Sequence, residues 1–273
     1  MNAVVRPVGD YLREWRQRRR LTQLDLALEA GISSRHLSFV ETGRSVPSRE
    51  MILHLAEQLA IPNRERNVLL VAAGYAPIFP ERSLNDPALA AVREAIEIVL
   101  TAQKPYPAFA LDRHWNLVAS NGALPELYVG VSEELMCPPV NALRLSLHPH
   151  GLASRIANLP EWRAHLLQRL RRQIDLTADP TLVALLREVS AYTPPEGEYA
   201  KPPAVDEHAV AIPLKITTPA GTLSFFSTTT VFGTPVDVTL SELALELFFP
   251  ADAATTDTVR RLEQSRASAI AAQ

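Results

Sequence analysis

The stretch that most constrains this chain is LTQLDLALEAGISSRHLSFVETGRSVPS, residues 21–48. It carries two short apolar stripes at helical spacing, separated by a glycine. Thr22 is placed as an N-cap, because its hydroxyl can accept from an unsatisfied amide of the first turn. Leu26, Ala27 and Ala30 then share one helix face, and Gly31 ends the helix as a residue that takes a left-handed cap without a Cβ penalty. Ser33 caps a second helix that turns Leu37 and Val40 inward and Ser34, Arg35, Ser38 and Phe39 outward. Gly43 closes it, and Arg44–Ser48 form a loop with Pro47. Two helices crossing at a tight turn, the second presenting polar side chains, fit a helix into a DNA major groove.

The flanks extend this into a five-helix unit. Val8, Leu12 and Trp15 fall at i, i+4 and i+7 and predict a helix over Val8–Arg19 with one buried stripe. Arg16, Arg18, Arg19 and Arg20 either form a solvated basic helix end or place one or two charges near phosphate. A fourth helix is expected over Arg49–Ala60, broken by Pro62, and a fifth over Arg64–Ala73, stopped by Gly74.

Leu21-Thr22-Gln23, Leu26-Ala27, Ala30-Gly31-Ile32-Ser33, Leu37-Ser38, Val40-Glu41 and Gly43 resemble the helix-turn-helix pattern of the phage-repressor-like (XRE) transcription regulators. The resemblance implies a DNA-binding domain over residues 1–82. It implies that Gln23, at the start of the first motif helix, contacts phosphate together with Arg44. Ser34, Arg35 and Ser38 are expected to read bases, with Phe39 available to a thymine methyl. Ser33 and His36 complete the DNA-facing set.

Net charge is −3, which by itself argues against nucleic acid, but its distribution does not. Residues 1–82 hold twelve arginines against nine acids, and the remainder fifteen bases against twenty-one acids. A basic module on an acidic body suits a two-part regulator. The 47 % hydrophobic and 21 % charged residues describe a globular chain with a real core. A single cysteine, Cys137, excludes an intramolecular disulfide and fits a reducing cytoplasm, the expected location. No apolar run of leader or membrane-spanning length is read, so no membrane partner is expected.

The domain boundary is placed near Pro80–Asp86. A long helix is expected over Pro87–Ala102, joining the linker to the first strand. Strands follow over Phe109–Asp112 and Leu117–Ser120, around the turn Arg113-His-Trp-Asn116. Helices are read over Asn141–Leu147, Glu161–Ile174 and Pro180–Tyr192. After a proline-rich link, Thr193–Pro203, come strand candidates His208–Thr217, Thr222–Phe232 and Leu243–Phe249. The first two are joined by the hairpin turn Thr218-Pro-Ala-Gly221. SELALELFF also reads as a helix; the following Pro250 and the phenylalanines favour a strand. Asp257–Ala269 is a final polar helix. The expected class is α+β: five helices, then a five-stranded antiparallel sheet with helices on one face.

DRHWNLVASN, NALRLSLHP and SFFSTTTVFGTPVDVTLSELALELFFPAD resemble the ligand-binding domain of the MmyB-like (MltR-type) regulators over roughly residues 90–260. In that family the domain follows an XRE helix-turn-helix and has a PAS-like fold, which places it here at residues 83–273. The resemblance implies a small, mostly apolar ligand, acyl-like or fatty-acid-like with a carboxylate.

Other chemistry is poorly supported. His148-Pro-His150 and Glu207-His208 lack a third metal ligand at useful spacing. No GxSxG elbow, Walker loop or GxGxxG occurs, so neither an enzyme nor a cofactor is expected. Thr228, Thr229 and Thr230, beside Phe225, Phe226 and Phe232, form either core packing with a solvated edge or a pocket of aromatic rings with hydroxyls that orient a polar end. Phe109 and Trp115 are assigned to the same pocket, and either Arg144 or His148 is available to pair with an anionic headgroup.

The function expected is a homodimeric, sequence-specific DNA-binding regulator that senses a small apolar ligand. Its alternatives are an enzyme with an appended helix-turn-helix, or a second domain that only dimerises. Leu24 and Leu28, on the first motif helix, either cover a partner or the second domain, or stand idle.

Overall fold

The computed structural model of the chain describes residues 6–193, 211–233 and 235–271. It divides into two units. The first comprises the chain up to Glu81, joined by Gln173–Ala178 and Pro235–Ser241; the second holds Arg82–Arg172, Asp179–Thr234 and the chain from Glu242 onward.

The first unit is built on helices α1 (Val8–Arg18), α2 (Gln23–Glu29), α3 (Ser34–Glu41), α4 (Arg49–Gln58) and α5 (Asn63–Ala72). The caps are those the sequence predicts. Thr22 Oγ1 accepts from the Asp25 amide and the Asp25 carboxylate accepts from the Thr22 amide, a reciprocal box. Ser33 Oγ accepts from the His36 amide. The apolar stripes meet in one core, in which Leu12, Leu26, Leu37, Ile52, Leu55 and Leu69 are fully buried. At Gly9, α1 crosses the end of α3 so closely that a Cβ would lie 2.4 Å from the Val40 carbonyl oxygen. Only glycine fits there without backbone movement.

The second unit begins with a 3-10 turn, Pro87–Leu89, that runs into α6 (Ala90–Ala102). Strands β1 (Ala108–Leu111) and β2 (Leu117–Ser120) follow, then a 3-10 turn at Pro125–Tyr128, α7 (Glu133–Met136) and α8 (Ala142–Leu147). Helices α9 (Leu159–Thr177) and α10 (Pro180–Ala191) follow. Strands β3 (Leu214–Thr218) and β4 (Gly221–Val231) form a hairpin. The short helix α11 (Val238–Ser241), β5 (Ala244–Pro250) and α12 (Ala253–Ala271) complete the chain.

All five strands make one antiparallel, PAS-like sheet in the order β2-β1-β5-β4-β3. The segment that also reads as a helix is thus a central strand, paired on both sides. Expected strand residues 208–210 lie outside the described residues, as do Glu207-His208 and most of the proline-rich link.

Helices cover both faces of the sheet, not one. Ile96 and Leu100 of α6 pack with Ala108, Ala110, Leu243 and Leu245. Strand alternation sends Phe109, Leu111, Glu246 and Phe248 to the opposite face, where α8 and α9 lie over them. The short apolar runs of β1 and β5 are buried on both sides, a pattern that periodicity alone does not assign to one face.

Candidate DNA-binding surface and ligand cavity

On the first unit, Ser33, Ser34, Arg35 and Arg44 are exposed, and Gln23, His36, Ser38 and Phe39 are half-buried. The structure brings three of these together. The guanidinium of Arg35 lies 5.3 Å from the Phe39 ring centroid, and that of Arg44 lies 5.9 Å from it. Phe39 therefore holds both cations against one aromatic side chain. The loop that carries Arg44 is fixed by its own amides, since the Arg44 and Ser45 N–H groups both donate to the Phe39 carbonyl.

Behind this surface lies a buried ion pair that motif spacing does not reveal. Glu41, at the end of α3, accepts from Arg16 Nε at 2.7 Å and Nη2 at 2.9 Å, and from Gln23 Nε2 at 2.8 Å. The Glu41 side chain is 0 % exposed and that of Arg16 10 %. Burial works against the carboxylate, but Arg16, Gln23 and Arg13 together hold its pKa below the ordinary value. The pair locks α3 onto α1 and α2, so Arg16 is a structural residue and not a phosphate contact. Arg19 is likewise engaged, donating to the Leu59 and Ala60 carbonyls. Gln23 keeps its place at the head of α2, with its amide nitrogen anchored on Glu41.

In the second unit a cavity of about 90 Å³ lies between the sheet and helices α8 and α9. Phe109, Trp115 and Phe225 of the expected set line it, together with apolar residues such as Leu143, Trp162, Leu166 and Phe248. Trp115 reaches the wall because the β1–β2 turn forces its backbone into the left-handed region, φ +67°. That turn is fixed by the Asp112 carboxylate, which accepts from the His114 and Asn116 amides and from Asn116 Nδ2. Asn141, the cap of α8, donates to the His114 carbonyl. A non-glycine residue in this conformation is held there by its surroundings.

The remaining expected ligand residues are elsewhere. Arg144 points away from the cavity and pairs with Glu188 through two bonds of 2.7 and 2.8 Å. Tyr192 donates to the same carboxylate, and burial together with that bond pushes its hydroxyl up to about 12. The His148 ring stands edge-on to Tyr192 at 4.8 Å and to His150 at 5.4 Å. Thr228, Thr229 and Thr230 are exposed. Thr228 and Thr230 face the α6 side, opposite Leu247 and Leu245 across the ladder. Phe226 is exposed on that side, and Phe232 packs into the α6 core. The triple threonine is therefore the solvated end of a strand, and only Thr229 touches the cavity's polar end.

That polar end is formed by two residues absent from the expected set. Arg169 of α9 donates to Glu246 Oε1 at 2.5 Å and to Thr229 Oγ1 at 3.0 Å, and its guanidinium stacks 4.9 Å from the Trp115 ring. Glu246 is 3 % exposed and also accepts from the Thr229 hydroxyl at 2.8 Å. Two signals point to them in hindsight. Glu246 is a lone acid inside LALELFF, and a buried charge requires a partner; Arg169 continues the Trp162–Leu166 stripe at i+7.

Among the described residues, no three His, Cys, Asp or Glu side chains are grouped as metal ligands. Among the same residues, no helix is long and apolar enough to cross a membrane.

Residues 92–262 match the family described as MmyB-like transcription regulator ligand binding domain, and residues 7–69 match a helix-turn-helix domain family. Over 76 residues the chain is 42 % identical to RghRB of Bacillus subtilis (strain 168), named as an uncharacterized HTH-type transcriptional regulator. The aligned stretch is 28 % of this chain and 52 % of that protein, so the chain spans about half the length of this relative.

Proposed function

The chain belongs to the MmyB-like transcription regulators, and from that premise we propose that it binds an operator through α3 and senses a small, mostly apolar, acyl-like ligand in the cavity of its second unit. The observation that carries the sensor half is the cavity itself: an apolar lining with a few polar groups that fix orientation is the usual character of a ligand site. Its volume is below the roughly 150 Å³ of an engineered cavity that takes up benzene. A short ligand fits it as it stands, and a fatty-acid-length chain requires side chains to move. Mass spectrometry of small molecules released from the purified chain tests this half. An apolar compound at near-stoichiometric yield supports it, and its loss in a cavity-filled variant ties it to the site.

The DNA half rests on the cluster of the exposed Arg35 and Arg44 around the half-buried Phe39. Arg35 is assigned to a base, because its fork can take guanine O6 and N7 together, worth about 1–3 kcal/mol of discrimination. Arg44 and Gln23 are assigned to phosphate. Arg35→Ala is expected to relax the preference at one base pair in a binding selection. Arg44→Ala is expected to weaken all sequences alike and to lower the salt dependence of binding by about one phosphate contact. An unchanged site preference in Arg35→Ala removes α3 as the reading element.

We read the active form as a homodimer on a near-palindromic operator, since one such module contacts too little duplex for typical specific affinity. Leu24 and Leu28, 68 % and 81 % exposed on α2, are the apolar side chains offered to a partner. Sedimentation of the operator complex as one chain per duplex would contradict this. Acting on DNA, the protein works in the cytoplasm, as a binding module rather than an enzyme.

A further inference from the structure

The cavity's charges are already balanced. Arg169 gives its strongest contacts to Glu246 and Thr229 and stacks on Trp115, and Glu246 is buried against it. A ligand carboxylate entering this end meets an acid as well as a base. To use Arg169 it must displace Glu246 and leave a buried carboxylate without the charge that stabilises it, which is the costly way to break such a pair. A neutral ligand asks for no such exchange.

Two residues with hydroxyl side chains, Tyr128 and Ser146, also line the cavity. Tyr128 comes from the 3-10 turn Pro125–Tyr128. Arg155 fixes this turn by donating to the Glu126, Leu127 and Val129 carbonyls. Burial raises the Tyr128 pKa above the ordinary value, so the group remains a donor. Ser146, also in the wall, has its oxygen engaged by Trp162 Nε1 at 3.0 Å and keeps a proton to donate.

We infer that the cavity selects an apolar ligand whose polar end is a neutral oxygen, an alcohol, ester or amide, and disfavours a carboxylate of the same chain length. The inference rests on the sensor reading above and narrows it. The donors are Tyr128 and Ser146, and the Arg169–Glu246 pair acts as a charge-neutral wall. It departs from the carboxylate headgroup that the family resemblance implies, because the cation available at the cavity is not Arg144 or His148 but an arginine that carries its own counter-ion.

The test is calorimetric titration of the full chain at neutral pH with n-hexanol and with hexanoate. The wild type is expected to bind n-hexanol about tenfold more tightly, the scale of one net hydrogen bond. Tyr128→Phe is expected to reduce n-hexanol affinity severalfold. Glu246→Gln keeps an acceptor toward Arg169 but unbalances its charge, and is expected to strengthen hexanoate binding about tenfold or more. Tighter binding of hexanoate by the wild type, or no gain for hexanoate in Glu246→Gln, overturns the inference and leaves the sensor reading standing. Failure of both probes to bind saturably overturns the sensor reading with it.

Discussion

Glu41→Ala is expected to destabilise the first unit by about 3–5 kcal/mol, the usual cost of removing one partner of a buried ion pair. Arg16, 9 % exposed, would be left with its guanidinium in the core and only the Leu21 carbonyl among its present strong contacts. Gln23 would lose its anchor as well, and the end of α3 its tie to α1 and α2. Chemical denaturation of the full chain, followed by a probe in the first unit, measures the effect. Glu41→Leu combined with Arg16→Met should recover most of the loss, because an apolar pair of similar volume removes the unpaired charge. A loss below about 1 kcal/mol in the single variant would match a surface pair instead.

The same residue sets an acid limit. Glu41 has a folded-state pKa below its ordinary value, so its contribution is fully present above the unfolded value of about 4.3. It is lost as pH falls through the lower, folded value. The wild type should therefore lose stability below about pH 4 more steeply than the Glu41→Leu, Arg16→Met double variant.

Phe225→Ala is expected to cost about 3–5 kcal/mol in the second unit, the range for a buried phenylalanine. Phe225 is 1 % exposed, stands edge-on to Phe248 with centroids 6.3 Å apart, and forms part of the cavity wall. Its removal enlarges the cavity rather than letting it collapse, since β4 is held on both sides by β3 and β5. A small apolar molecule that fills the enlarged space should return part of the loss, by about 2.7 kcal/mol at a hundred times its dissociation constant. A cost below about 1 kcal/mol would place the Phe225 ring outside the core.

The first unit was almost wholly legible, because its information is local. Thr22, Ser33 and the Leu26, Leu37 and Ile52 stripes act within one turn of their neighbours, and periodicity reports that. Glu41 was legible as a motif position and not as a buried anion, because its partner Arg16 lies 25 residues away on another helix. The cavity was legible only through its rings. Phe109, Trp115 and Phe225 lie in strands or the turn between them, where alternation gives the face. Arg169 is one of four arginines between Arg163 and Arg172, and nothing in helical spacing singles out the one that meets Glu246. The threonine run is a weak pocket signal because alternation turns Thr228 and Thr230 to the α6 side and leaves only Thr229 beside Arg169 and Glu246.

The central claim, that occupancy of the second unit's cavity changes the affinity of the first unit for DNA, is tested most directly by one titration. Operator DNA recovered by binding selection is titrated with the wild type and with Ala142→Leu, which adds bulk at the cavity wall, each with and without a small-molecule extract of the producing cells. A ligand acts only through its differential affinity for the two states, commonly about 1–3 kcal/mol. The extract is therefore predicted to change wild-type operator affinity by about 5–150-fold and to leave Ala142→Leu unchanged. Equal responses in the two proteins, or none in the wild type, would contradict it.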